Sequence, residues 1–365
     1  MRAMRIRAVQ FQAMRFLVAV LIATALWGVL WGATPGGGPA MADTLERVRD
    51  EGMLRCGVSS RGQGLSTVDG SGRWQGFFID MCRALAAAVT GNADHVEFVE
   101  ANTENRFSVL RNGEVDVVME GTTWNLLRDA SFGVDFPVVY LFDGQSFIVH
   151  RSLGVARLDD LVRAAAAGGL SVCVIEQTTT LRNLEGWMAR SRTQLTLKRV
   201  RSDEGAMSAF FNHHCDLFTS DRISLHTQRR VKAPNSADYV ILPEVISKEP
   251  LGPMVRMDEK RWFDVVRWVF LITVLAEEKG VTAANAAAMK DAPDAEVRKL
   301  LGATPGLGKG LGLDDSWGWR VVTQVGNYGE IFDRHLGAGS PFGFERGLNG
   351  LWNRGGLLYA PPLGG

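Results

Sequence analysis

Val115-Asp-Val-Val-Met-Glu-Gly-Thr-Thr-Trp-Asn-Leu-Leu-Arg-Asp-Ala-Ser-Phe-Gly-Val-Asp-Phe-Pro137 decides how this chain is read. Val115 to Met119 is a short apolar run of the kind that forms a buried strand. Just past its carboxyl end come two hydroxyls, Thr122 and Thr123, and one arginine, Arg128. In open α/β sheets, ligands bind at that end of a strand. The planar guanidinium fork matches a carboxylate bidentately, and the hydroxyls can add donors beside it. The stretch is therefore an anion pocket or an arginine on a surface loop, and taken alone it supports both.

Upstream, Leu45 to Glu51 has helical spacing with a stop at Gly52, and Met53 to Val58 alternates as a strand. Ser59 to Gly76 is rich in Gly and Ser and reads as a loop. Phe78, Cys82, Leu85, Ala86 and Val89 then share one helical face, with Gly91 as the stop. His95 to Val99 is a strand and Thr103 to Asn112 a helix. This βαβαβ order implies a mostly parallel sheet. After Val139 to Asp143 the pattern restarts. Strands are expected at 145–149, 170–175, 195–200, 216–219 and 239–242, with helices at 158–167, 181–190 and 204–213. The chain then recrosses through Ser247 to Gly252 and enters an apolar helix, Trp262 to Leu275. The reading is two α/β lobes: 43–138 with 252–302, and 144–248. Crossings at 139–143 and 249–251 join them, so a cleft can open and close on hinges. Gly302 to Gly312 reads as a linker into an extension, 303–365, whose Trp317, Trp319, Tyr328 and Trp352 make it too apolar for a free tail. Packing on the first lobe is expected.

The first 42 residues have another purpose. Four arginines and no acid precede or enter the apolar run Phe16 to Ala33, and Ala40-Met-Ala42 follows. That is a secretory signal with a small-x-small cleavage site after Ala42. Met14 would also make a normal start for it. The remaining chain holds 36 basic against 40 acidic residues and no basic block, which argues against nucleic acid as a partner. Four cysteines in an exported chain suggest disulfides. Cys56 with Cys82 and Cys173 with Cys215 would each tie a first strand to a nearby element of the same βα repeat.

Two further polar groups fall at strand ends in the second lobe: Thr178, Thr179 and Thr180 after Ile175, and Asp221. If the lobes face each other, Arg128 fits a carboxylate and Asp221 an ammonium. One small molecule carrying both is an α-amino acid. Taken alone, an Asp ending a strand is more often a helix cap.

Gly76-Phe-Phe-Ile-Asp-Met-Cys-Arg-Ala-Leu-Ala86 and Thr122-Thr-Trp-Asn-Leu-Leu-Arg-Asp129 resemble signature segments of the family 3 bacterial extracellular solute-binding proteins. Cys215 to Asp221, Ile241 to Pro253, Val325 to Phe332 and Arg346 to Asn353 resemble the general L-amino-acid-binding proteins of polar amino-acid ABC importers, and the similarity covers nearly all of 43–362. The resemblance implies a type 2 periplasmic-binding fold and a liganded form that docks on an inner-membrane ABC permease. It implies that Arg128, helped by Thr123, clamps the α-carboxylate and Asp221 the α-ammonium. Gly121, Ile175 and Thr178 to Thr180 would complete the polar shell. The chain departs from the family at Phe78, usually acidic, and in the loop after the first strand, where Ser59-Ser-Arg-Gly62 replaces an acidic, amide or aromatic residue. Close relatives carry a basic residue where this chain has Glu120. Glu120 is thus expected to face the cleft and disfavour acidic amino acids.

The competing class is an enzyme on the same fold, such as a cyclohexadienyl dehydratase, with Glu120 or Glu176 as the general acid or base. Nothing in the sequence pairs either with a nucleophile. His213 and His214, at a helix end, read as solvated. A sensory module would need a membrane segment after the lobes, and none is expected. Dispersed cysteines and unclustered histidines argue against a metal, and no cofactor is expected. A monomer is expected.

Overall fold

The computed structural model describes residues 43–364, so the expected signal and its cleavage site lie outside the described residues. Helix α1 (Thr44–Glu51) is capped by Asp43, whose carboxylate accepts from the Leu45 amide at 3.0 Å. It leads into β1 (Leu54–Val58), the middle strand of the first sheet. The next segment, expected to be a loop, holds three short strands, β2 (Arg61–Gly62), β3 (Ser66–Val68) and β4 (Trp74–Gln75), paired antiparallel. Asp69 makes the turn between β3 and β4, accepting from the amides of Ser71 and Arg73. The sequence reading missed this because turn residues outnumber the strand residues they connect. Helix α2 (Phe77–Thr90) follows directly. Gly76 at its start has φ 136°, and a Cβ there would lie 2.3 Å from the Leu65 carbonyl oxygen, so only glycine fits.

Strand β5 (Val96–Glu100), helix α3 (Arg106–Arg111) and strand β6 (Val117–Val118) complete a parallel sheet in the order β5-β1-β6. Helix α4 (Leu126–Ser131) and strand β7 (Val134–Asp135) lead to β8 (Leu141–Asp143), the first crossing. The second sheet contains β9 (Gln145–His150), β10 (Ser171–Ile175), β11 (Thr196–Val200), β12 (Leu217–Asp221) and β13 (Tyr239–Ile241), in the order β11-β10-β12-β9-β13. β9 runs antiparallel to both its neighbours, while the other four strands share one direction. Helices α5 (Leu158–Ala166), α6 (Thr179–Ser191), α7 (Asp203–Phe211) and α8 (Arg222–Lys232) connect them, and separate apolar cores lie on the two faces of this sheet. The return crossing β14 (Glu249–Leu251) pairs antiparallel with β8, placing Glu249 opposite Asp143.

The chain then adds β15 (Val255–Arg256) against β7 and the long helix α9 (Lys260–Glu278). After the short helices α10 (Ala286–Met289) and α11 (Ala295–Leu300), the glycine-rich stretch folds back instead of extending. Asp315 accepts from the amides of Gly306 and Gly308. Helices α12 (Trp317–Gln324) and α13 (Tyr328–His335) share the apolar core of α2 and α9, with Trp317 and Tyr328 fully buried. Arg320 donates to the carbonyls of Ala87 and Ala88 at 3.0 and 3.1 Å, where the last turn of α2 presents free carbonyls and a negative dipole end. Asn349 lies against the crossing itself, accepting from the Phe142 amide and donating to its carbonyl.

Disulfides Cys56–Cys82 and Cys173–Cys215 tie β1 to α2 and β10 to the turn before β12. These are the two pairs expected. Trp317→Ala should cost about 3–5 kcal/mol in urea unfolding, the usual loss for a fully buried aromatic. A change below about 1 kcal/mol would show that the extension contributes nothing to the core.

Candidate functional site

The first wall of the site is set by a local capping interaction. Asn125 accepts from the Arg128 amide at 3.1 Å and starts α4, which turns the Arg128 side chain inward. Arg128 is 2% exposed. One nitrogen, Nη1, donates to the Thr123 carbonyl at 2.7 Å, and the group lies 5.6 Å from the centre of the Phe107 ring. Among the described residues no carboxylate comes within ion-pair distance of it. Burial, and then the charge of Arg106, hold the Arg128 pKa down to about 9. A buried cation without a counter-ion is costly, and the remaining donors of the fork are on a cavity wall where an anion would relieve that cost.

The second wall is the amino end of α6. Thr178 is its cap: the hydroxyl donates to the Ile175 carbonyl at 2.7 Å and accepts from the Leu181 amide at 3.2 Å. The amides of Thr179 and Thr180 belong to the first turn and have no intrahelical acceptor. With the positive end of the helix dipole they form a second set of anion donors. The helix begins two residues earlier than its apolar spacing predicts, because the threonine cap lies outside the periodic pattern.

Asp221 ends β12 and stands at the cap position of α8, yet its side chain caps nothing. It is half-buried on the cavity wall instead. Burial, reinforced by Glu249, Asp143, Asp203 and Glu120, raises its carboxyl well above the ordinary range. An ammonium brought beside it would reverse that shift.

These walls enclose a cavity of about 500 Å³. It brings together Arg128, Thr123, Gly121, Glu120, Ser59, Ile175, Thr178, Thr179, Thr180 and Asp221, and Phe78 also reaches it. Glu176 lies off the wall, and His213 and His214 are exposed. Two side chains differ from their expected chemistry. The Thr123 hydroxyl donates to Glu249 at 2.5 Å, so its single proton is already engaged and only its lone pairs remain for a ligand. Glu120 is ion-paired with buried Arg106 and also accepts from the Thr122 hydroxyl at 3.1 Å, so its charge is compensated.

Sequence reasoning missed Glu249, Asp203 and Asp143. Glu249 is 1% exposed and joins both lobes: besides Thr123, it accepts from Asn183 of α6 at 2.6 Å and from Ser247 at 2.5 Å. The lobes also meet where Arg61 pairs with Glu204 at 2.5 Å, and where the Thr123 and Thr179 hydroxyls lie 3.4 Å apart. A strand-end signal marks Asp203, which follows β11 closely as Asp221 ends β12.

Two lobes closing a charged cavity between opposed strand ends define a small-molecule binding protein. Residues 54–291 match the bacterial extracellular solute-binding proteins, family 3, and the chain belongs to that family. It is 39% identical over 330 residues to the general L-amino acid-binding periplasmic protein AapJ of Rhizobium johnstonii, covering 90% of this chain and 95% of that one. It is 41% identical over 343 residues to the glutamate/glutamine/aspartate/asparagine-binding protein BztA of Rhodobacter capsulatus, covering 93% and 99%. Among solved structures, a periplasmic binding protein from Brucella ovis with glutathione bound superposes with a TM-score of 0.84 at 40% identity, covering 88% of this chain and 99% of that one.

Asp143 gives a test of the electrostatics. Burial raises its carboxyl from 3.8 to about 7, opposed by the amides of Ile223 and Gly144. With the folded pKa raised, the neutral form favours folding. That contribution is complete below about pH 4 and is lost as pH rises through about 7. In the ligand-free protein, Asp143→Asn should therefore gain stability over the wild type between about pH 5 and about pH 8. Parallel urea midpoints at the two pH values would contradict the assignment.

Proposed function

We propose that this chain is the substrate-binding component of an amino-acid ABC importer. It takes free L-α-amino acids into the interlobe cavity and delivers them to an inner-membrane permease. The observation that carries the reading is the buried, counter-ion-free Arg128 sharing one cavity with Asp221, which caps no helix. The α-carboxylate lies against Arg128 and the first-turn amides of α6, and the α-ammonium against Asp221. The Thr123 oxygen is an acceptor for the ammonium, and its backbone, rather than its hydroxyl proton, serves the carboxylate. Gly121, Ile175 and Thr178 shape the wall, and Ser59 lies toward the side-chain end.

The ligands for which the relatives are named share this chemistry. Glutathione, bound by the Brucella protein, carries a free α-ammonium and α-carboxylate on its γ-glutamyl residue, as free amino acids do. The lobes are 43–138 with 252–302, and 144–248, hinged at 139–143 and 249–251, with 303–365 as an extension of the first. The mature protein begins at Asp43, is periplasmic and acts as a monomer. It performs no chemistry on its ligand, a reading supported by relatives that are named for binding amino acids.

Charge-assisted hydrogen bonds contribute about 1.5–3 kcal/mol each. Losing two of them predicts that Arg128→Ala weakens amino-acid binding at least about 100-fold in titration calorimetry, with the urea midpoint maintained or raised. Retained affinity would contradict the clamp.

A further inference from the structure

Asp203 is a charged group on the cavity wall that the amino-acid clamp does not use. It is the first residue of α7, half-buried, and among the described residues no hydrogen-bond donor or cation is paired with its carboxylate. An acid in the first turn of a helix is favoured by the dipole. Such a side chain ordinarily stands in water, whereas this one lines the same cavity as Arg128 and Asp221.

The charges of the cavity decide what Asp203 is for. Arg106 is paired with Glu120, and Arg61 with Glu204. Glu100 accepts from the Ser60 amide, and Asp143 from the amides of Gly144 and Ile223. Arg201 and Glu104 are exposed and opposite in sign. Among the described residues of the wall, the half-buried carboxylates left without any hydrogen-bond donor or cation are Asp221 and Asp203, and the buried guanidinium left without an anion is Arg128. The complementary ligand carries one anionic and two cationic groups, which is the charge pattern of a basic α-amino acid.

We propose that Asp203 determines specificity by receiving a cationic ligand side chain, so that the site prefers basic to acidic L-α-amino acids. This rests on the clamp described above, with Arg128 and Asp221 holding the α-groups. It transfers to Asp203 the discrimination that the sequence suggested for Glu120, whose charge Arg106 compensates. Burial, followed by the negative charge of Glu120 and offset in part by the positive charge of its partner Arg106, leaves the Asp203 carboxyl pushed up to about 6. The group is therefore ionised at neutral pH, in a setting where a cation would stabilise it.

The test is calorimetric titration of the full mature chain with L-arginine, L-glutamine and L-glutamate, for wild type, Asp203→Asn and Asp203→Glu. The wild type should bind arginine at least tenfold more tightly than glutamate. In Asp203→Asn the preference for arginine over glutamine should fall at least tenfold, and in Asp203→Glu, which keeps the charge, it should persist. Urea midpoints confirm that each variant is folded. An unchanged arginine-to-glutamine ratio in Asp203→Asn, or tighter glutamate than arginine binding by wild type, overturns the role of Asp203 while leaving the clamp intact. Failure of the wild type to bind any of the three overturns the clamp and this proposal together.

Discussion

Arg128, buried to 2% exposure and without a counter-ion among the described residues, is the constraint on which the rest of this structure depends. Left alone, it is a destabilising feature, since an ion removed from water must be repaid by partners. Among the described residues, its partners are a carbonyl and an aromatic ring. Everything around it makes sense if the missing partner arrives from outside. Asn125 fixes the helix that carries it, the opposite lobe presents the open end of a helix, and Asp221 waits unneutralised on the same wall.

Glu249 connects this site to the motion of the lobes. Its two carboxylate oxygens hold the Thr123 hydroxyl from one lobe and the Asn183 amide from the other, at the crossing where the chain returns. Opening the cleft must therefore disturb a buried carboxylate and its charge-assisted bonds, which are worth more than neutral ones. Asp143 stands beside it in the paired crossing strands. The accumulation of carboxylates around Asp221 raises its affinity for a proton in the free protein and, by the same electrostatics, for an ammonium. The extension reaches this region too, since Asn349 satisfies both backbone groups of Phe142.

Much of this was legible in the sequence, for physical reasons that differ by element. Strands such as Ser171–Ile175 are continuous apolar runs, and several helices stop at glycine or asparagine, Gly52, Gly91 and Asn212 among them, so the α/β order could be read directly. Both disulfides followed from the proximity of successive elements in a βα repeat. Arg128 and Asp221 were visible because a ligand site in this architecture lies at strand ends. The pairings that decide the charge of the cavity were not visible. Thr123 and Glu249 are 126 positions apart, and Asn183 and Glu249 are 66 apart, and no local pattern links such residues. Glu120 looked like the discriminating acid because Arg106, which neutralises it, is placed beside it only by the packing of α3 against β6.

The central claim is that the cavity recognises an α-ammonium and an α-carboxylate on one carbon. Mass spectrometry of whatever is released by mild unfolding of the purified mature protein tests this most directly. The account predicts a free L-α-amino acid, or a small peptide that presents an unblocked α-amino-carboxylate end. A released ligand lacking either group would contradict it.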